Sequence, residues 1–135
     1  MNNMQKKIKH LEFIQTIIGR QAKNSFLLKG WIVTLVAATF VLPIDDAIDR
    51  KSILVYFLIV IFGLLDTYYL WQEKKFRCLF DHVRKFKDDK VDFDMNTTEI
   101  AKKTGCSWID ALFSPPIYIF YLTLMLFTIT FLNWR

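Results

Sequence analysis

Three long apolar stretches, separated by charged chain, constrain this sequence more than any other feature in it. The first is Phe26–Pro43 (FLLKGWIVTLVAATFVLP), with a single charge at Lys29. The second is Ile53–Trp71 (ILVYFLIVIFGLLDTYYLW), with a single charge at Asp66, and the third is Pro116–Trp134 (PIYIFYLTLMLFTITFLNW), with none. As helices they span roughly 27–29 Å at about 1.5 Å per residue, close to the thickness of a bilayer's hydrocarbon core. Burial inside a soluble domain would need more polar partner than the rest of the chain can supply. At 135 residues the chain is a single domain, and 53 % hydrophobic content excludes a disordered chain. The expected fold is an all-α integral membrane protein. It has three transmembrane helices (26–43, 53–71 and 116–134), an N-terminal amphipathic helix in 1–25, an outer loop at 44–52 and a small cytoplasmic helical layer in 72–115.

The placement of Lys and Arg sets the orientation. Five precede the first stretch and nine lie between the second and third, against two in the first connection and one after the third stretch. The N-terminus and residues 72–115 are therefore predicted to be cytoplasmic, and the short loop and the C-terminus to lie outside. Trp71, Trp108 and Trp134 are expected to be interfacial anchors, where amphipathic rings prefer to sit. Charges throughout the first 25 residues argue against a signal peptide, so the first span is expected to be uncleaved. The net charge of +5 is accounted for by orientation and by anionic lipid. No nucleic-acid reader motif accompanies it, and none is expected as a partner.

The cytoplasmic parts are amphipathic. Ile8, Leu11, Ile14, Ile17, Ile18 and Ala22 recur at helical spacing, on a helix that could run straight into the first span. This stripe could lie on lipid, pair between subunits, or pack on the segment after the second span. There Phe76, Leu79, Phe80, Val83 and Phe86 form an apolar face on a basic helix. Packing the two stripes together is the simplest way to hide both. Residues 88–96 read as a loop whose alternating acids lack the rest of a calcium-binding pattern. A short helix follows at about 97–104, capped by Asn96 or Thr97 and ended by Gly105. A second turn carries Ser107 and Asp110 at capping-box spacing, and Pro115 and Pro116 open the third span.

Catalytic chemistry finds little footing. The chain lacks a phosphate-cradling glycine loop, a Gly-x-Ser-x-Gly elbow and a His-Glu-x-x-His pair. Cys78 and His82 stand four apart on one helix, but two ligands do not make a metal site. The sequence therefore reads as a non-enzyme with no cofactor and no metal.

The residues that stand out are the charges inside the spans, because a charge in lipid is costly and faces protein or water. Lys29 and Asp66 each lie about one turn inside the inner end of an antiparallel span, at similar depth. They read as an ion pair, within the hairpin or across a subunit boundary. The alternatives are snorkelling, with Lys29 reaching the headgroups alone, and an Asp66 that lines a wet pore. Gly30, Thr34, Ala37 and Ala38 form a small-residue seam suited to close helix approach, and Gly63 stands with Tyr56, Asp66 and Thr67 on one side of the second span. One chain cannot enclose a channel, so any pore needs several copies.

Residues His10–Phe40 carry a Leu11-Glu12-Phe13-Ile14-Gln15 opening, the run Asn24-Ser25-Phe26-Leu27-Leu28-Lys29-Gly30-Trp31, and a Thr34-Leu35-Val36-Ala37-Ala38 stretch. With Gln72–Arg77 (QEKKFR), this pattern resembles a family of small bacterial multi-span membrane proteins, some found near phage-defence genes. The resemblance covers roughly residues 10–85. It implies a bacterial inner-membrane location and a membrane-permeabilising role in antiviral defence, and it puts Lys29 in a recurring motif. Two readings follow. In the first, a homo-oligomer permeabilises or depolarises the membrane when a cytosolic trigger acts on it. In the second, the chain is an anchor or scaffold that recruits a cytosolic partner protein. A constitutive small-ion channel component is a third, weaker reading.

Overall fold

In the computed structural model, which describes residues 2–41, 48–85 and 93–134, every regular element is a helix. α1 (Asn3–Val41) and α2 (Ile48–Lys85) are long antiparallel partners. Two short helices follow, α3 (Thr98–Thr104) and α4 (Trp108–Leu112), and then α5 (Pro115–Trp134). α1, α2 and α5 are each long and apolar enough to cross a membrane.

α1 is one unbroken helix of 39 residues, about 58 Å long, so the amphipathic segment and the first apolar segment are continuous. No proline or helix-breaking cap separates them. Its buried positions are His10, Ile14, Ile18, Ser25, Leu28, Ile32, Val36 and Thr39, a line of three-, four- and seven-residue steps that follows one helix face from end to end. α2 is likewise continuous through both of its expected parts. It begins at Ile48, so residues 48–52, expected in the outer loop, belong to the helix; the remainder of that loop, 44–47, lies outside the described residues.

Two cores stack along the α1–α2 pair. The apolar core joins Ile32 and Val36 of α1, Val55 and Ile59 of α2, and Ile117 and Tyr121 of α5. The basic-layer core joins Ile14 and Ile18 to Leu79 and Val83, flanked by Leu11, Phe76, Phe80, Met95 and Ile100. The N-terminal stripe and the apolar face after the second stretch therefore cover each other. Ile8 is half exposed, because it stands off the line of contact that Ile14 and Ile18 define. Phe86 lies outside the described residues.

Local chemistry ends the short helices. Gly105 adopts a left-handed backbone (φ 68°), which a side chain would strain, and its N–H reaches the carbonyl of Ala101. At α3 the Thr97 side chain makes no cap; the N–H of Thr98 donates to Asn96 Oδ1 instead (3.0 Å). At α4 the N–H of Ile109 donates to Ser107 Oγ (3.2 Å) and the N–H of Ser107 to Asp110 Oδ2 (3.3 Å), a reciprocal capping box. α5 opens on Pro115 and Pro116, whose missing N–H groups cost nothing in a first turn.

Candidate functional site

The helical spacing of Ser25 and Lys29 places both side chains on the same face of α1, opposite Asp66 of α2. The Lys29 ammonium pairs with Asp66 Oδ2 and also donates to Ser25 Oγ (3.0 Å), while the Ser25 hydroxyl donates to Asp66 Oδ1. Both carboxylate oxygens are thus engaged by α1. The Asp66 side chain is fully buried and that of Lys29 is 19 % exposed. Below the pair, Thr67 turns its hydroxyl to the carbonyl of Gly63 (2.7 Å), so it asks nothing of the cluster. Lys29 Nζ also stands 5.8 Å from the centre of the Phe120 ring of α5. This is a closed polar cluster in an apolar layer, in which each charge has a partner from the opposite helix.

α5 is fixed to the hairpin next to this cluster. The Tyr121 hydroxyl donates to the carbonyl of Phe62 (3.1 Å). The Tyr121 ring lies where a Cβ on Gly63 would sit 3.7 Å from it, so Gly63 gives α5 a flat seat on α2. At the far end, the Phe40 and Phe131 rings meet with centroids 4.5 Å apart.

The seam residues Gly30, Thr34, Ala37 and Ala38 are exposed and face away from the rest of the chain. Among the described residues no other part of the fold comes within 4 Å of a Cβ built on Gly30, and α1 meets α2 through Ser25, Leu28, Ile32, Val36 and Thr39 instead. The physical reason is that branched and polar side chains fill the α1–α2 interface, so close backbone approach is not used there.

A second joint ties the basic layer to the start of α5. Lys74 donates to the carbonyl of Asp110 (2.9 Å) and to Ser114 Oγ, while the Ser114 hydroxyl donates to the same carbonyl (2.7 Å). A cation at a helix C-terminus satisfies carbonyls that the helix leaves open. One turn away the Trp71 indole donates to the carbonyl of Cys106 (3.0 Å), and Lys75 Nζ sits 3.8 Å from the centre of the Trp71 ring. Trp71 is therefore held by protein, while Trp108 is half-exposed beside the outward-facing Ile109 and Phe113 (60 % and 70 % exposed). The side chain of Trp134 lies outside the described residues. Cys78 is half-buried in this layer; burial first, and then the neighbouring Cys106 thiol, push its pKa up, which makes it a poor nucleophile.

Sequence reasoning missed several partners. Ser25 was findable, since it stands one helical turn before Lys29. Tyr121 and Ser114 were not, because each meets α2 across a long sequence separation. His10 is absent from the apolar stripe read from spacing, yet it is 1 % exposed, its ring lies 5.4 Å from that of Phe93, and neither ring nitrogen has a hydrogen-bond partner among the described residues. Among the described residues no group of three metal-ligating side chains gathers. No known family, curated protein or solved structure matches the chain.

Proposed function

We propose that this chain is a homo-oligomeric protein of the bacterial inner membrane that permeabilises or depolarises the membrane when triggered, as an anti-phage effector does. The observation that carries the reading is the continuity of α1 and α2. Each runs without a break from the basic layer into the apolar layer, so a ligand or partner that shifts the basic core also moves the Lys29–Asp66 clamp. In this placement the basic layer is cytoplasmic and receives the trigger. Lys29–Asp66 holds the resting arrangement, and the lumen forms between copies. The defence context rests on the sequence resemblance alone.

The outer faces agree with an assembly in lipid. Only 28 %, 22 % and 17 % of the most apolar windows of α1, α2 and α5 are buried within the chain. The rest meets lipid or other copies. The seam on α1 is the part of that surface best suited to a second helix, because small residues let backbones approach.

One observation favours the scaffold reading. Among the described residues the charges of the apolar layer are satisfied inside the chain, which offers water no charged wall to follow. The two readings separate in cells. The protein is expressed under an inducible promoter while a potential-sensitive dye is followed and copies are counted by cross-linking. The effector reading expects depolarisation once assemblies appear, and a Leu79→Asp variant that disrupts the basic core should change its onset. Undiminished potential in the presence of abundant assemblies, across added phage, sinks the effector reading in favour of the scaffold.

A further inference from the structure

A second polar feature lies at the joint between α2 and the α3–α4 turn, away from the Lys29–Asp66 cluster. A groove of about 450 Å³ opens there between Trp71 and Lys75 on one side and Ala101, Lys102, Gly105 and Ser107 on the other. Among the described residues, both of its charged lining residues are lysines and no acidic side chain lines it. Lys75 is held 3.8 Å over the Trp71 ring, an arrangement that fixes the ammonium without neutralising it. The Trp71 indole N–H is committed to the carbonyl of Cys106, so the ring is a fixed wall of the groove. Lys74, the neighbour of Lys75, is spent on Asp110 and Ser114 and does not compete for a ligand.

The position of the groove selects the occupant. Trp71 ends the second apolar segment, and α4 beside the groove turns Ile109 and Phe113 outward, 60 % and 70 % exposed. A short helix with a capped polar start and exposed apolar side chains fits the boundary between headgroups and acyl chains. In the membrane placement proposed above the groove falls at headgroup level, with two cations for an anion and an apolar wall for a chain.

We infer that this groove binds one anionic phospholipid of the inner leaflet, its phosphate held by Lys75 and Lys102 and its upper acyl chain laid against Trp71. The site would couple lipid composition to the joint that seats α5 on α2, because Lys74, Trp71 and Ser114 belong to that same joint. The inference rests on the membrane placement proposed above and is independent of permeabilisation.

The test is native mass spectrometry of the full-length protein in detergent, titrated with phosphatidylglycerol, with phosphatidylcholine of the same chains, and with soluble glycerol 3-phosphate. Two lysines near a surface, at about 1 kcal/mol each, correspond to a preference of roughly 30-fold for the anionic lipid. The Lys75→Gln, Lys102→Gln double variant should lose it, and Lys75→Arg with Lys102→Arg should keep it. Lys102→Gln alone, an exposed change on α3, should lose about fivefold and guards against a double variant that fails to fold. Removing two charges elsewhere, at Lys6 and Lys9, should leave the preference intact. A wild-type protein without preference, or an equal loss in the Lys6 and Lys9 variant, overturns the site. Binding of glycerol 3-phosphate as tight as that of the lipid overturns the lipid as occupant. Membrane insertion is scored separately by resistance to alkaline extraction, so a failure of the placement is distinguishable from a failure of the site.

Discussion

Lys29 and Asp66 show what a single residue costs in this chain. The two bond each other directly and each also bonds Ser25, and Asp66 has no access to solvent. Removing one partner strands the other charge, and such a loss costs about 3–5 kcal/mol in buried pairs. Replacing both by apolar residues removes the cost with the charges, and is often close to neutral. Lys29→Met and Asp66→Leu should therefore each lower the unfolding transition of the purified protein strongly, while the double variant recovers most of the loss. Additive losses in the double variant would mean that the two residues act apart. That each charge stands about one turn inside the end of its apolar stretch was legible from sequence, and so was their common depth, because a short connection between antiparallel helices fixes it. Ser25 follows from helical spacing. Whether Lys29 reached Asp66 or the headgroups was not legible, since that depends on the azimuth of both helices. Branched side chains at Ile32, Val36, Val55 and Ile59 set that azimuth through their packing.

At the scale of elements, the sequence reading of helices was sound where the period was long and weak where several small patterns competed. The stripe read from Ile8 to Ala22 is close to the true contact line, but it includes Ile8 and omits His10, because hydropathy alone counts a histidine as polar. The seam of small residues was legible as a pattern, but not the side of α1 that would use it. The capping box at Ser107 and the stop at Gly105 were fully legible, since both depend on neighbours in sequence. The contacts of α5 were not, because Tyr121 and Ser114 find α2 only through the tertiary fold. Two substitutions test these joints. Leu79 is 2 % exposed between Ile14 and Ile18, so Leu79→Ala should cost about 2–5 kcal/mol in thermal or denaturant unfolding. Gly63→Ala places its methyl at an ordinary contact distance from Tyr121 and should leave the protein as stable as before, whereas Gly63→Phe should displace α5. Free Tyr121 motion, read as faster proteolysis of the 93–114 region, would accompany that displacement.

For the whole molecule, the decisive quantity is the number of copies. Among the described residues of one chain, three apolar helices meet in a filled core, and the charges of the apolar layer, Lys29 and Asp66, close on each other, so no polar path runs through that core. Permeabilisation requires surfaces that one chain leaves unused. The exposed face of α1 with Gly30, Thr34, Ala37 and Ala38 is such a surface, and its geometry separates folding from assembly. A Cβ at Gly30 points into open space on an exposed face of α1, so Gly30→Leu should fold and insert as the natural protein does. In lipid, helix association depends on close packing of small residues, and a leucine at the centre of a seam holds the backbones apart. Gly30→Leu with Ala37→Leu should therefore shift the mass of the particle in native lipid discs from several copies toward one, while the unfolding transition of the monomer stays within about 0.5 kcal/mol, as for exposed substitutions generally. Loss of depolarisation in the same variant would join assembly to activity. If the natural protein is already one or two copies under every lipid condition, no wall exists to enclose a lumen, and the chain is then an anchor whose basic layer is its working surface. If it is a larger assembly whose mass ignores the substitutions, the pore reading survives and the interface lies on α2 or α5, where Phe57, Val60, Leu64, Leu122 and Leu126 are exposed.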